Sequence, residues 1–292
     1  MRKSTRIVSI GVPVYNGEKT LVRRLDSLLG QTFHDFELLV SDNDSSDRTE
    51  AICREYMARD SRIRYVRQPT NIRVEANFKF VLDQACGKYF MWAASDDVHS
   101  IDFVELNLDF LESHPEYVSS VSPVRFEGRG FDEQKMGDRC LADVRFDVRL
   151  RGFFGAWHAN GTFYALMRTE ILKKCEWVGL SFLGADWAIV LYMARQGKLN
   201  RLGRGWLELG RNGTSQSGGI FRLYRSSPLD FLAPFWKLTS AAFCLSVDAP
   251  VSSRLAIFLS CIVMNLRALS MQILGKLYRV YRVVSRRRLP TQ

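Results

Sequence analysis

From Ile7 to Val14 the chain is apolar at almost every position (IVSIGVPV), a run suited to a strand buried on both faces. After a polar turn, Leu21, Val22, Leu25, Leu28 and Leu29 recur at helical spacing. FELLVSD (Phe36 to Asp42) predicts a second strand, Asp47 to Ala58 a second helix, and IRYVRQ (Ile63 to Gln68) a short third strand. A helix over Glu75 to Ala85 leads into the aromatic run Tyr89 to Ala94, a fourth strand that stops abruptly at Ser95, Asp96 and Asp97. Ser100 suits the N-cap of the next helix, with Asp102 in its first turn. Repeated strand–helix units predict an α/β fold, a mostly parallel sheet flanked by helices. From about Arg129 to Val178 the pattern loosens around GFFGAWHANGTFYALM, and a helix carrying Trp187, Val190, Leu191 and Ala194 follows SFLGAD. After Pro228 the chain turns to apolar helices with widely spaced bases.

At 292 residues, the chain is long enough for one large α/β domain or two smaller ones. Its net charge of +10 is unevenly placed. Asp248 is the last acidic residue, and Arg254, Arg267, Lys276, Arg279, Arg282, Arg286, Arg287 and Arg288 follow it. The remaining 33 bases face 31 acids, so the body is near neutral and the basicity speaks to the partner of the tail. Six cysteines without CxxC pairing fit free thiols in a reducing cytosol and give zinc no support. The short, Pro-broken apolar stretch at the N-terminus reads as a first strand and not as a signal peptide.

Ligands on parallel sheets bind at the carboxyl ends of the strands, where Asp42, Asp96 and Asp97 all fall. Two adjacent carboxylates repel each other, and a hard cation such as Mg²⁺ or Mn²⁺ relieves that repulsion. A solvated acidic turn has the same composition. The turn VPVYNGEK closes the first strand where a nucleotide would meet a helix N-terminus. It is neither GxGxxG nor GxxxxGK[ST], which speaks against a dinucleotide fold and an ordinary NTPase.

PVYNGEKTLVRRLDSLLGQTFHDFELLVSDNDSSDRT, followed by NIRVEANFKFVLDQACGKYFMWAASDD, resembles the nucleotide-binding half of a family 2 glycosyltransferase of the GT-A fold; GADWAIVLYMARQGK continues the likeness. The resemblance implies that Pro13, Val14, Tyr15, Asn16, Glu18, Asn71, Asn77, Ser95 and Asp96 bind the donor nucleotide, with Asp42 on the base. It implies Asp97, helped by Asp96, as ligand of Mg²⁺ or Mn²⁺, and Asp186 as general base of an inverting transfer. Arg211, in GRNGTSQS, would meet the diphosphate, and Trp157, His158, Asn160 and Trp187 fall in the acceptor region. Asp186 as a helix N-cap before Trp187 is the competing structural reading. The chain departs from the family at Asn43, Asp44 and Arg48, at Arg73 and Lys79 where glycines are common, and at Ala185, where a Glu is usual.

The expected organisation is a GT-A domain over 1–225 (nucleotide-sugar half 1–125, acceptor half 126–225) and a basic helical tail over 226–292. The expected donor is a UDP- or dTDP-sugar. The acceptor would be a glycan or lipid-linked oligosaccharide of bacterial surface polysaccharide such as lipopolysaccharide or capsule. A polyprenyl-phosphate sugar synthase is the neighbouring alternative. A sugar-nucleotide nucleotidyltransferase would need a glycine-rich GxGTR-like loop, which VPVYNGEK is not. In the tail, Leu255 to Leu266 is uncharged for 12 residues, too short to span a bilayer, and Arg267 interrupts it. Ile273, Leu274, Leu277, Val280, Tyr281 and Val284 then recur at helical spacing among bases. Together these predict a peripheral enzyme on the anionic inner face of the cytoplasmic membrane, with the helix packed on the domain as the alternative. No base-reading or stacking module accompanies the charge, which speaks against nucleic acid.

Overall fold

The computed structural model describes residues 7–94, 96–155, 158–210 and 220–286, with side chains as far as Leu274. Ser95, Trp157 and Arg211 lie outside the described residues, as do the side chains of the basic segment from Lys276 onward. The strands are β1 (Val8–Val14), β2 (Phe36–Asp42), β3 (Ile63–Arg67), β4 (Tyr89–Trp92), β5 (Val98–His99), β6 (Tyr117–Val121), β7 (Val124–Phe126), β8 (Leu166–Arg168), β9 (Lys198–Arg201) and β10 (Leu207–Leu209). The first helices are α1 (Leu21–Leu29), α2 (Thr49–Arg59), α3 (Val74–Gln84), α4 (Phe103–Ser113), α5 (Glu133–Met136) and α6 (Phe146–Phe153). They are followed by α7 (Thr169–Leu172), α8 (Ala185–Gln196), α9 (Ile220–Leu223), α10 (Pro228–Leu232), α11 (Trp236–Leu245) and α12 (Val251–Arg286).

Seven strands form one sheet in the order β3-β2-β1-β4-β8-β6-β9, parallel except for β8, which runs antiparallel to both neighbours. β1 is buried at all seven positions, as its unbroken apolar run requires. The register pairs Val14 with Asp42 and Gly11 with Trp92, so β1, β2 and β4 all end at one edge. A second sheet, β5-β10-β7, stands beside that edge and brings the end of β10 to the acidic turn after β4. The main sheet takes β6, β8 and β9 from both sides of residue 125, so the two halves share one core.

Three expectations change. α4 begins at Phe103 with Asp102 at its N-cap; the Ser100 hydroxyl instead donates to Asp102 and accepts the Trp206 N–H. On α1, Val22 is exposed, and the fully buried stripe is Leu21, Arg24, Leu25 and Leu28. After α10 and α11, the tail continues as the 36-residue helix α12, whose Val251–Leu274 part is long and apolar enough, by length and composition, to cross a membrane. A single arginine on the flank of a helix does not end it, which is why Arg267 misleads as a boundary. Ile257, Cys261, Met264 and Ala268 recur every three or four residues and are buried where α12 packs on α11 and α6. Polar links reinforce that packing: Ser253 donates to Asp147 at 2.5 Å, and the Phe235 N–H donates to Asn265 at 2.8 Å.

Candidate active site

A cavity of about 810 Å³ opens at the carboxyl ends of β1 and β4, and its wall includes Pro13, Asn16, Asp96, Asn160, Tyr164 and Asp186. One side is the turn after β1. Asn16 takes the left-handed conformation (φ 51°); its amide oxygen accepts the Ser46 N–H at 2.9 Å, and its own N–H donates to Ser45 Oγ at 2.9 Å. Gly17 N–H donates to Thr49 Oγ1, Glu18 N–H to Asp47, and Glu18 accepts the Arg48 N–H. The PVYNGE turn is thus fastened to the loop after β2, with Tyr15 half exposed above it.

Of the expected nucleotide contacts, Pro13, Tyr15, Asn16 and Asp96 line the cavity, whereas Val14, Glu18, Asp42, Asn71 and Asn77 are not part of its lining. Asp42 is fully buried, accepting the Ser45 N–H and the Tyr65 hydroxyl. Val14 is buried in β1, and Glu18 braces the turn. Asn71 accepts from Asn43 Nδ2 at 3.1 Å. Asn77 is buried; its amide oxygen accepts the Ser41 hydroxyl and its Nδ2 donates to the Ser41 carbonyl.

The acidic pair divides. Asp96 faces the cavity, whereas Asp97 is buried with its Oδ2 3.4 Å from the Arg24 guanidinium and accepting the Ala94 N–H. Arg24 also donates to the carbonyls of Ala94 and Asp97, so a buried arginine pins the whole turn from below. Burial pushes the Asp97 carboxyl up to about 7, reinforced by Asp96 and opposed by Arg24. His99 lies 3.4 Å from Arg24, and burial with that positive neighbour holds it well below its ordinary value. At the end of β10, Gly210 N–H donates to Asp97 at 3.3 Å, and a Cβ there would lie 2.2 Å from the Asp96 carboxylate.

No group of three or more His, Cys, Asp or Glu that could hold a metal occurs among the described residues. The donors present are hard oxygens: Asp96 at the wall and Asp97 committed to Arg24 behind it. That set suits a divalent ion which takes few protein ligands and fills its shell with water and substrate phosphates.

The opposite wall carries Asp186. Gly184 takes the N-cap of α8 in a left-handed conformation (φ 87°), so Asp186 sits inside the first turn and the N-cap reading fails. Its Oδ2 accepts Asn160 Nδ2–H at 2.9 Å. Burial raises its carboxyl above the ordinary aspartate value, with the Asn160 hydrogen bond opposing. Tyr164 stands in the field of Asp97, Asp186 and Asp96, and burial keeps its hydroxyl protonated far above its ordinary range. Of the expected acceptor residues, Asn160 and Trp187 line the cavity. His158 is buried, stacked on Trp187 at 4.2 Å, and absent from the cavity wall. Arg24 and Tyr164 escaped sequence reading; only Arg24 left a signal, a charge on the apolar stripe of α1.

The family model described as "Glycosyl transferase family 2" matches residues 9–176. A putative glycosyltransferase, EpsE, of Bacillus subtilis is 34% identical over 111 residues, 38% of this chain and 40% of that protein. The chain spans 40%, 58% and 14% of the lengths of the first three curated relatives it matches. Among solved structures, S. aureus TarS 1-349 in complex with UDP-GlcNAc superposes with a TM-score of 0.63 at 21% identity, covering 86% of this chain and 70% of that one. The mannosyltransferase PcManGT from Pyrobaculum calidifontis, in complex with GDP-Man and Mn²⁺, gives 0.56 at 15% identity, over 89% and 87%. At such identities these two structures speak to the fold, a GT-A-type α/β arrangement. With more than half of its length matched by the family model, the chain belongs to glycosyl transferase family 2.

Proposed function

We propose that the protein transfers a sugar from a nucleotide-sugar donor, with inversion, to a hydroxyl of a glycan or lipid-linked acceptor of a bacterial surface polysaccharide. The observation that carries this reading is one cavity walled by the PVYN turn, by Asp96 and by Asp186. The nucleotide would lie along Pro13, Tyr15 and Asn16, with its diphosphate toward Asp96. Asp96, backed by Asp97, would hold Mg²⁺ or Mn²⁺; when bound, the ion offsets the charge developing on the leaving diphosphate. Asp186 takes the proton of the acceptor hydroxyl as that oxygen bonds to the anomeric carbon and the bond to the diphosphate oxygen breaks. The raised Asp186 carboxyl suits this role, since a stronger base takes the proton more readily.

A UDP- or dTDP-sugar is the favoured donor, and TarS, holding UDP-GlcNAc, supports UDP. The test is a thermal-shift panel of UDP-, GDP- and dTDP-sugars with and without Mn²⁺, since binding raises stability by mass action. One sugar nucleotide should stand out, and Asp96→Asn should abolish the Mn²⁺-dependent part of its binding in calorimetry. Unchanged metal-dependent affinity in that variant would rule the site out.

The outward face of α12 supports a peripheral place on the membrane. Leu255, Phe258, Leu259, Ile262, Val263 and Leu266 are exposed opposite the buried stripe, on a 36-residue helix about 54 Å long at 1.5 Å per residue. In sequence the apolar period runs on through Ile273, Leu277, Val280 and Val284, now among bases. An apolar stripe beside cationic residues matches the boundary between anionic headgroups and acyl chains. The polar links of α12 to Asp147 and Phe235 favour a helix lying in that boundary, because crossing would break them.

A further inference from the structure

Asn160 is held in a conformation that costs free energy, and its surroundings are built to hold it. It is fully buried, and φ 58° with ψ 50° places it in the left-handed region, which non-glycine residues enter only when something compensates. Its backbone N–H donates to His158 Nδ1 at 3.1 Å. Accepting there requires the proton of the neutral ring to sit on Nε2, which faces the Phe153 carbonyl at 3.3 Å. Burial lowers the His158 pKa to about 4, so the ring is neutral and this tautomer persists at physiological pH. The ring is clamped between Trp187, stacked at 4.2 Å, and Phe153, edge-on at 4.9 Å. It also fills the space beside Gly137, where a Cβ would lie 2.1 Å from its Nδ1.

The outcome of this construction is one directed contact, Asn160 Nδ2–H to Asp186 Oδ2, while Asn160 Oδ1 is buried with no partner among the described residues. A buried amide oxygen left unsatisfied is costly, and a sugar hydroxyl entering the cavity would satisfy it. We propose that Asn160 is a positioning residue for Asp186. The Phe153–His158 pair fixes its backbone, its amide nitrogen orients the carboxylate, and its amide oxygen receives a substrate hydroxyl. The inference rests on the reading of Asp186 as the base. In the transfer, the acceptor hydroxyl gives its proton to the Asp186 carboxylate as the new glycosidic bond forms and the diphosphate leaves, while Asn160 keeps its own protons throughout. The titratable groups facing Asp186 are Tyr164 and Tyr224, and burial raises both above their ordinary value, so neither competes for that proton near neutral pH.

The test is Asn160→Gly, because glycine keeps the left-handed backbone at no steric cost and removes only the amide. In the ligand-free protein, the ¹³C signal of the Asp186 carboxyl, assigned by its loss in Asp186→Asn, should titrate at higher pH in Asn160→Gly than in the parent. Melting should stay cooperative. Nucleoside diphosphate release from the sugar nucleotide that most raises the melting point should slow by about 10- to 100-fold, with donor KM within about twofold. In the Asp186→Asn background, Asn160→Gly should cost far less than in the parent, only what the lost substrate-hydroxyl contact contributes. An unmoved Asp186 titration, or losses that simply multiply in the double variant, would overturn the positioning role. Near-normal turnover in Asp186→Asn alone would instead sink the base reading on which it rests.

Discussion

Asp186 presents a conflict between stability and chemistry that one substitution separates. Burial raises its carboxyl, so the folded state holds the proton to a higher pH than the unfolded chain does. Below the ordinary aspartate range both states are protonated and the group is neutral toward stability. As pH rises through the raised value, the folded state must carry a buried charge and stability falls. Asn at this position keeps a neutral, isosteric partner for the cavity wall. Asp186→Asn should therefore melt higher than the parent at neutral pH, with the difference vanishing in acid, while turnover falls by about 10²–10⁴ as a lost general base predicts. Scanning calorimetry across pH, read beside nucleotide release, checks both halves. A variant that loses stability at neutral pH would mean that the carboxylate is a structural ligand of the fold. At this scale the sequence was partly legible. The strand-end aspartates announced themselves because charge after an apolar run has few structural uses. The bond between Asn77 and Ser41 was not legible, because its partners lie 36 residues apart and local sequence does not show such a bond.

Among elements, α1 shows how the acidic turn is held. Its buried stripe places Arg24 under residues 94–97, where the guanidinium meets Asp97 and two carbonyls. Arg24→Met would fit the volume and leave Asp97 buried without its partner. The expected cost is about 3–5 kcal/mol, the usual penalty for orphaning one member of a buried ion pair. Urea denaturation should show that loss, and Mn²⁺-dependent UDP binding should weaken with it, since the turn that presents Asp96 loses its anchor. Full stability in Arg24→Met would mean that the turn is held by β10 and Gly210 alone. The elements themselves were largely readable, because β1, β2 and β4 are mostly apolar runs and α2 and α3 lie within two residues of their expected bounds. Two features were not. A charge on a buried stripe reads as a solvent position until its partner is known, and the flank arginine at 267 hid the length of α12.

For the whole molecule, α10 to α12 divide their apolar surface between two environments. The inward stripe of α12 packs on the catalytic body, and Phe235, which lines the cavity, is tied by its N–H to Asn265 of the same helix. The outward face stays apolar, continued by Phe243 and Val247 of the α11 region and by Leu229 and Leu232 of α10. A patch of this kind on a folded protein calls for a partner, and under the proposed membrane placement the eight bases beyond Asp248 would favour an anionic one. Two contributions to vesicle binding should then separate. Removing residues after Gly275 takes away most of the charge and should weaken sedimentation with phosphatidylglycerol vesicles, most visibly at low salt. The binding that remains should be insensitive to salt and should disappear in Leu255→Ser/Leu259→Ser/Leu266→Ser, whose positions touch solvent and whose melting should match the parent. Were a second copy of the chain to cover this face instead, light scattering would show a dimer that the triple serine variant dissociates, and neither variant would change lipid binding. Binding by the full chain that vanishes entirely as salt rises would assign the membrane contact to the basic tail and leave the apolar face without a part in it.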